Sequence, residues 1–280
     1  ARGCVSIADS ELRSRRSVLQ RARKFLTVPW MLRGVDAFLT VGDCNEAYYL
    51  HYGVSRERLY RSPFPIDEPV FARAIVNRNA LRERVRSTIG ASDGECVALV
   101  VGKLTHRKRP AHAVAAVERA IALGADNLRL VFVGDGPPRA DLERAACTRL
   151  PGRVTFAGFV EPARLPEWYL AADCLVHPSS QDPHPLAISE AIACGLPCIV
   201  SDRVGSVGQT DDVRLGLNGV EYPFGRIEAL AEALGGLARG AERRREMGRR
   251  SSEVAQGRIL AASVEGFVQA VVSVTRGMRV

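Results

Sequence analysis

The chain has 280 residues, 46% of them hydrophobic and 25% charged, with a formal net charge of +8; this is ordinary globular composition, long enough for one large or two modest domains. It contains no run of about 18 consecutive apolar residues, so no bilayer-spanning helix is expected. Aromatic residues at 6% give no stacking platform for nucleic acid, and the seven cysteines include no CxxC pair, which argues against a zinc site and for reduced thiols in a cytosolic protein.

The chain opens ARGCVSIADS, with neither an initiating Met nor a charged-then-apolar leader, which reads as a missing upstream part or a processed end. Residues 11–25 (ELRSRRSVLQRARKF) predict a basic helix carrying Arg13, Arg15, Arg16, Arg21, Arg23 and Lys24 against one acid. ARGAERRREMGRR (238–250) is similarly basic. Both could be solvated faces, or they could attract anionic membrane or substrate. GVDAFLTVG (34–42) has a strand pattern; 47–67 reads as a helix, a short strand and a Pro-rich linker. About two β units cannot close a core of their own, so a boundary is placed near Asp67.

From residue 95 the pattern alternates. CVALVVG (96–102), LRLVFVG (128–134), RVTFAG (153–158), DCLVHPS (173–179) and PCIVSD (197–202) are short apolar runs, separated by helical patterns at 110–124, 138–147, 162–172 and 185–195. Such alternation means βαβ units and a doubly wound parallel sheet, an α/β fold of Rossmann type. RIEALAEALGGLARG (226–240) is an amphipathic helix closing this domain, and 251–277 reads as one long helix or two short ones.

Ligands of such sheets bind beyond the carboxyl ends of the strands. The first strand ends VGKLTHRKRP, placing Gly102, Lys103, Arg107, Lys108 and Arg109 at a helix N-terminus. Cations there, together with the helix dipole, suit a phosphate, although a solvated loop is the plainer reading. It is not a Walker loop. VGDGPPRADL has Gly134 and Gly136 but Arg139 where a dinucleotide fingerprint needs a third glycine, so NAD binding is discounted. In QDPHPLAISEAIACGLP (181–197), Pro185 suits a first helical turn and the N–H groups of Leu186 and Ala187 point beyond the strand end. Glu190 could accept from the vicinal diol of a ribose, and Asp182 could meet a hexose hydroxyl. Alternatively, Asp182 is an N-cap and Glu190 a helix-face acid.

KLTHRK, GDGP, FAGFV, HPSSQDPHPLAISEAIACGLP and GLNGVEYPFG follow one another in that order. Together they resemble the carboxyl-terminal lobe of group 1 (family 4) retaining glycosyltransferases of the GT-B fold, from about Arg56 onward. GVSRERLYRSPFPIDEPVF (53–71) is similar to that family's interlobe connection, through Asp67 and Phe71. The family's Glu, seven residues, Glu pattern reads Asp182…Glu190 here, with Pro185 where a glycine is usual. The resemblance makes Lys103 (usually an arginine) and Lys108 the diphosphate cations, and with Asp182 and Glu190 they form the catalytic set. Gly102, Phe159, Val160, His184, Leu186, Ala187 and Glu190 become donor-binding, with the backbone of Phe159 and Val160 at the nucleobase.

The division implied is 1–67 as the remnant of an acceptor-side Rossmann-like lobe with its linker, and 68–250 as the donor lobe. Residues 251–280 become a terminal helix returning to the first lobe. The family's amino-terminal lobe is larger and supplies a histidine near the sugar; no His precedes His51, so a fragment or truncated reading frame is expected. The implied activity is metal-independent hexosyl transfer with retention, without a cofactor. Its donor is a UDP- or GDP-linked sugar and its acceptor a glycan, a lipid-linked molecule or a small molecule. The absence of any Asp-x-Asp pair agrees with leaving-group stabilisation by cations. A cytoplasmic location is expected, at the inner face of the membrane if 11–25 touches anionic lipid; nucleic acid is not an expected partner. The rival readings are a nucleotide-sugar epimerase or phosphorylase of similar architecture, a non-catalytic nucleotide-sugar-binding lobe and, last, an oxidoreductase.

Overall fold

The computed structural model describes residues 3–8, 11–13 and 18–277. A short parallel sheet is built from β1 (Val5–Ile7), β2 (Ala37–Thr40) and β3 (Leu59–Arg61), in the order β1-β2-β3. Helix α1 (Val18–Leu32) links the first two strands and α2 (Asp43–His51) follows the second. Phe38, Tyr48, Tyr49 and Tyr52 form an aromatic core with Val28 and Val54. The basic helix expected at 11–25 starts at Val18 and runs through Pro29, with Arg15 and Arg16 outside the described residues. It turns Leu19, Leu26 and Trp30 outward, 80%, 76% and 73% exposed. The three-residue β1 had no readable pattern in the sequence.

The larger sheet comprises β4 (Cys96–Val101), β5 (Leu128–Val133), β6 (Val154–Gly158), β7 (Cys174–His177), β8 (Cys198–Ser201) and β9 (Gly219–Tyr222). All neighbours are parallel, in the order β6-β5-β4-β7-β8-β9. Every residue of β4, β7 and β8 is buried, which is why these strands read as continuous apolar runs. Two apolar clusters cover the two faces. Helices α5 (Pro110–Ala122) and α9 (Ile227–Arg239) supply one, around Val117, Ala120 and Leu234. Helices α7 (Leu165–Ala171) and α8 (Leu186–Ala193) supply the other, around Tyr169, Leu170 and Ile188. Helix α6 (Arg139–Arg149) lies between β5 and β6 in the chain.

Two helices precede this sheet, α3 (Glu68–Val76) and α4 (Arg78–Thr88), which turn Phe71, Ala74 and Leu81 into the core. Polar bonds fix α4. Arg82 donates to the carbonyls of Leu170, Ala171 and Ala172 at the end of α7, and both Arg82 and Arg86 pair with Asp173. Those carbonyls are the ones a helix end leaves unpaired.

The basic 238–250 segment and the terminal stretch resolve into α10 (Ala241–Gln256) and α11 (Leu260–Gly277), broken at 257–259. Within Ala241–Arg276 an 18-residue window of mean hydropathy 1.3 is long and apolar enough to cross a membrane by length and composition. Ser263, Glu265 and Gln269 interrupt that window, so the sequence shows no unbroken apolar run there. In the fold, α11 lies on β2 and β3 instead. Ala270 packs with Ala37 and Leu39, and Ser62 Oγ bonds the carbonyl of Ser263 at 3.0 Å.

Candidate functional site

The strand order places β4 at the centre. The chain leaves it to one side for β5 and β6, then crosses to β7 on the other. Where the order reverses, the loops after β4 and β7 diverge and leave a crevice at the carboxyl ends of the strands. The two loops are tied across it. The carbonyl of Arg107 accepts the Ser180 N–H at 2.8 Å and the Ser180 hydroxyl at 2.9 Å. Lys108 Nζ meets Asp182 Oδ2 at 2.5 Å, and His177 Nε2 meets the same oxygen at 2.8 Å.

Lys103 is exposed on the same loop as Lys108, and Gly102 lies beside the Lys108 ammonium with φ of +127°. The GDGP glycines serve this loop. A Cβ on Gly134 would stand 2.2 Å from the Gly102 carbonyl oxygen, and one on Gly136 would stand 1.8 Å from that of Leu104. Their role is close approach of backbone to backbone.

Asp182, which the resemblance places at a hexose hydroxyl, is paired with protein groups through Oδ2. It is 7% exposed and accepts two protein donors. The reason is proximity: a carboxylate beside an ammonium in a half-dry crevice takes it as its partner. Burial pushes the Asp182 carboxyl up, but the His177 bond and Lys108 outweigh it and hold the group at about 2. Burial pushes the His177 imidazole below its ordinary value, so it is neutral at pH 7. Because Asp182 is depressed on folding, its contribution is fully present above about pH 4 and is lost as pH falls through about 2. Urea unfolding should thus show Asp182→Asn less stable than wild type by on the order of 2 kcal/mol at pH 5, with the gap shrinking as pH falls from about 4 towards 2. A constant gap would assign the effect to packing.

Helix α8 begins at Leu186, directly after Pro185, and its first N–H groups lack intrahelical acceptors. Leu186 is 46% exposed and Ala187 half-buried, at the lip of the crevice. One turn in, Glu190 Oε2 accepts the Tyr169 hydroxyl at 2.6 Å. Burial raises Glu190, and the Tyr169 bond offsets part of that. Burial and the Glu190 charge raise Tyr169, which stays protonated and donates. Phe159 is 70% exposed after β6, while Val160 packs into the apolar cluster that also holds Leu165, Trp168 and Ala187. The crevice loops, the 158–161 turn and the start of α8 thus share one end of the sheet.

His184 departs from the expectation that it binds donor. Its side chain is 1% exposed. Nδ1 meets Ser206 Oγ at 3.0 Å and Nε2 lies 3.4 Å from Asp212 Oδ2. It belongs to a buried network that the sequence did not reveal. Arg258, from the break between α10 and α11, pairs with Asp212 and lies 3.6 Å from Asp211, and donates to the Val41 carbonyl of the small sheet at 2.9 Å. Asp211 accepts the Asp43 N–H at 2.8 Å, and Ser189 donates to Asp212 at 2.7 Å. The ligand atoms of His184, Asp211 and Asp212 lie within 4.8 Å of one another, a spacing that could hold a metal ion. The cation the chain itself supplies there is Arg258. The adjacent acids in QTDDVR were the available signal, but only burial distinguishes them from a solvated turn.

The family model described as glycosyl transferases group 1 matches residues 82–254, which contain every element of this crevice. The chain belongs to that family. A D-inositol 3-phosphate glycosyltransferase of Nocardia farcinica is 30% identical over 225 residues, 78% of this chain and 48% of that protein. An alpha-monoglucosyldiacylglycerol synthase of Streptococcus pneumoniae is 30% identical over 177 residues, 61% of this chain and 40% of that protein. The chain spans about half or less of the length of such curated relatives. In fold it matches the Anabaena protein HepE, solved in complex with UDP, with a TM-score of 0.78 at 18% identity, over 97% of this chain and 72% of that one. The two parallel sheets are those of a GT-B glycosyltransferase.

Proposed function

We propose that this chain carries the donor site of a glycosyltransferase. The sugar leaves a UDP- or GDP-linked donor for a glycan, lipid-linked or small-molecule acceptor, with retention of configuration and without a metal or other cofactor. The observation that carries the reading is the Lys108–Asp182 pair, set across the switch-point crevice in front of the α8 N-terminus. Asp182 fixes the ammonium in place, and Lys103 adds a second cation from the same loop. A departing diphosphate gains negative charge in the transition state, and fixed cations with helix N–H groups stabilise that charge without reorganising. Glu190, braced by Tyr169, receives the ribose diol, and the turn of Phe159 and Val160 receives the base.

The acceptor would enter from the side of the small sheet. The relatives' names, one an inositol phosphate glycosyltransferase and one a glucosyldiacylglycerol synthase, keep small-molecule and lipid-linked acceptors both in the reading. Helix α1 supports a peripheral contact with anionic membrane from the cytoplasmic side, since exposed Leu19, Leu26 and Trp30 accompany Arg23.

Titration calorimetry with UDP and GDP tests the donor site. One of the two should bind, and Glu190→Ala should weaken it by about 1–3 kcal/mol through lost hydrogen bonds to the diol. Equal affinity for wild type and variant would remove the ribose assignment.

A further inference from the structure

At the other end of the large sheet lies a cavity of about 500 Å³. Ala172 and Asp173, just before β7, and Leu196 and Pro197, just before β8, line its floor. It is therefore separated from the donor crevice by the length of the strands. Five arginines surround it: Arg78 and Arg82 from α4, and Arg244, Arg245 and Arg249 from α10. They face two acids, Asp93 and Asp173, so the lining carries three positive charges in excess. The basic 238–250 segment, which the sequence leaves open between a solvated face and one that attracts anions, supplies most of that charge.

The arrangement is rigid. A Cβ on Gly248 would stand 2.4 Å from the Gly195 carbonyl oxygen, so glycine lets α10 press onto the α8–β8 turn. Ser251 locks the contact by donating to the Leu196 carbonyl at 2.6 Å. Residues 244, 245, 248, 249 and 252 fall on one helical face, and that face is the cavity wall. Arg78 donates to the Cys194 carbonyl at 2.9 Å and Arg244 to the Ala238 carbonyl at 3.2 Å. Carbonyl partners orient a guanidinium without neutralising it. Asp173 is already shared between Arg82, Arg86 and the Val97 N–H. Arg245 and Arg249 also reach Glu242, Glu246 and Glu253 of their own helix, but those side chains are 96%, 50% and 45% exposed, and such surface pairs are weak and screened. The first residue of α10, Ala241, lines the cavity too and brings the positive end of that helix to it.

We propose that this cavity is a second anion site, which takes a phosphate-bearing small molecule. Its volume falls in the range of small-ligand pockets, roughly 300–1,000 Å³. Planar guanidinium groups match phosphate oxygens in pairs. A multiply charged anion offsets the excess charge that the protein leaves there.

Calorimetric titration with inorganic pyrophosphate decides the matter when run on Lys108→Ala, in which the donor crevice has lost the cation paired with Asp182. Saturable binding should remain in that variant. Adding Arg244→Ala and Arg245→Ala should weaken it at least about tenfold. Should that variant melt early by circular dichroism, Arg245→Glu with Arg249→Glu replaces it; both side chains are more than half exposed, so charge changes with little effect on packing. Absence of saturable binding in Lys108→Ala would overturn the proposal. So would affinity that stays within about twofold in the folded arginine variant.

Discussion

Arg258→Met should cost about 3–5 kcal/mol of unfolding free energy at pH 7, the penalty of breaking a buried ion pair on one side. The Arg258 side chain is 8% exposed, and those of Asp211 and Asp212 are fully buried. Without the guanidinium, two adjacent carboxylates would share a dry site with His184 and no fixed cation. Burial already pushes Asp211 above its ordinary value, whereas His184 and Arg258 help to hold Asp212 below its own. Removing Arg258 raises both. A carboxyl raised by folding favours the folded state only once protonated, so the deficit should shrink as pH falls from 7 towards 5. Urea titrations at the two pH values read this directly. A loss below about 1 kcal/mol, or one independent of pH, would mean that the network is solvated in solution. Because Arg258 also bonds the Val41 carbonyl, the variant should become more sensitive to proteases between α10 and α11.

Lys108→Ala should lower affinity for UDP or GDP by about 10- to 100-fold, and affinity for the free nucleoside hardly at all. A charge-assisted hydrogen bond to phosphate is worth about 1.5–3 kcal/mol. The structure adds a second penalty. Asp182, stripped of its ammonium, would face the diphosphate as a like charge, with only the neutral His177 left as partner. Lys108→Ala combined with Asp182→Asn should therefore recover part of the lost affinity. Parallel calorimetry with nucleoside diphosphate and nucleoside distinguishes this from misfolding, which would weaken both equally.

What the sequence made legible follows from how each element is held. CVALVV and LRLVFV are buried on both faces, so they read directly as strands. The loop cations and the α8 start follow from the order of strands, since chemistry in this architecture sits after strand ends. Helix α4 was not legible because RNALRERVRST is held by arginines on the carbonyls of another helix, a partner that appears only in three dimensions. Strand β1, three residues of VSI, is too short to carry a period. His184 misled for a related reason: its place in a site-like motif said nothing of the direction of its ring, which Ser206 and Asp212 determine. The pairing of Asp182 with Lys108 was not legible either, because the two lie far apart in sequence.

A nucleoside diphosphate is expected in the crevice between the β4 and β7 loops. A crystal structure of the chain with UDP or GDP tests it most directly. The diphosphate should lie within hydrogen-bond distance of Lys108 Nζ and of the first N–H groups of α8, with Lys103 alongside and the ribose hydroxyls on Glu190. A diphosphate found instead among Arg78, Arg244 and Arg245 at the opposite end of the sheet, with the crevice empty, would contradict it.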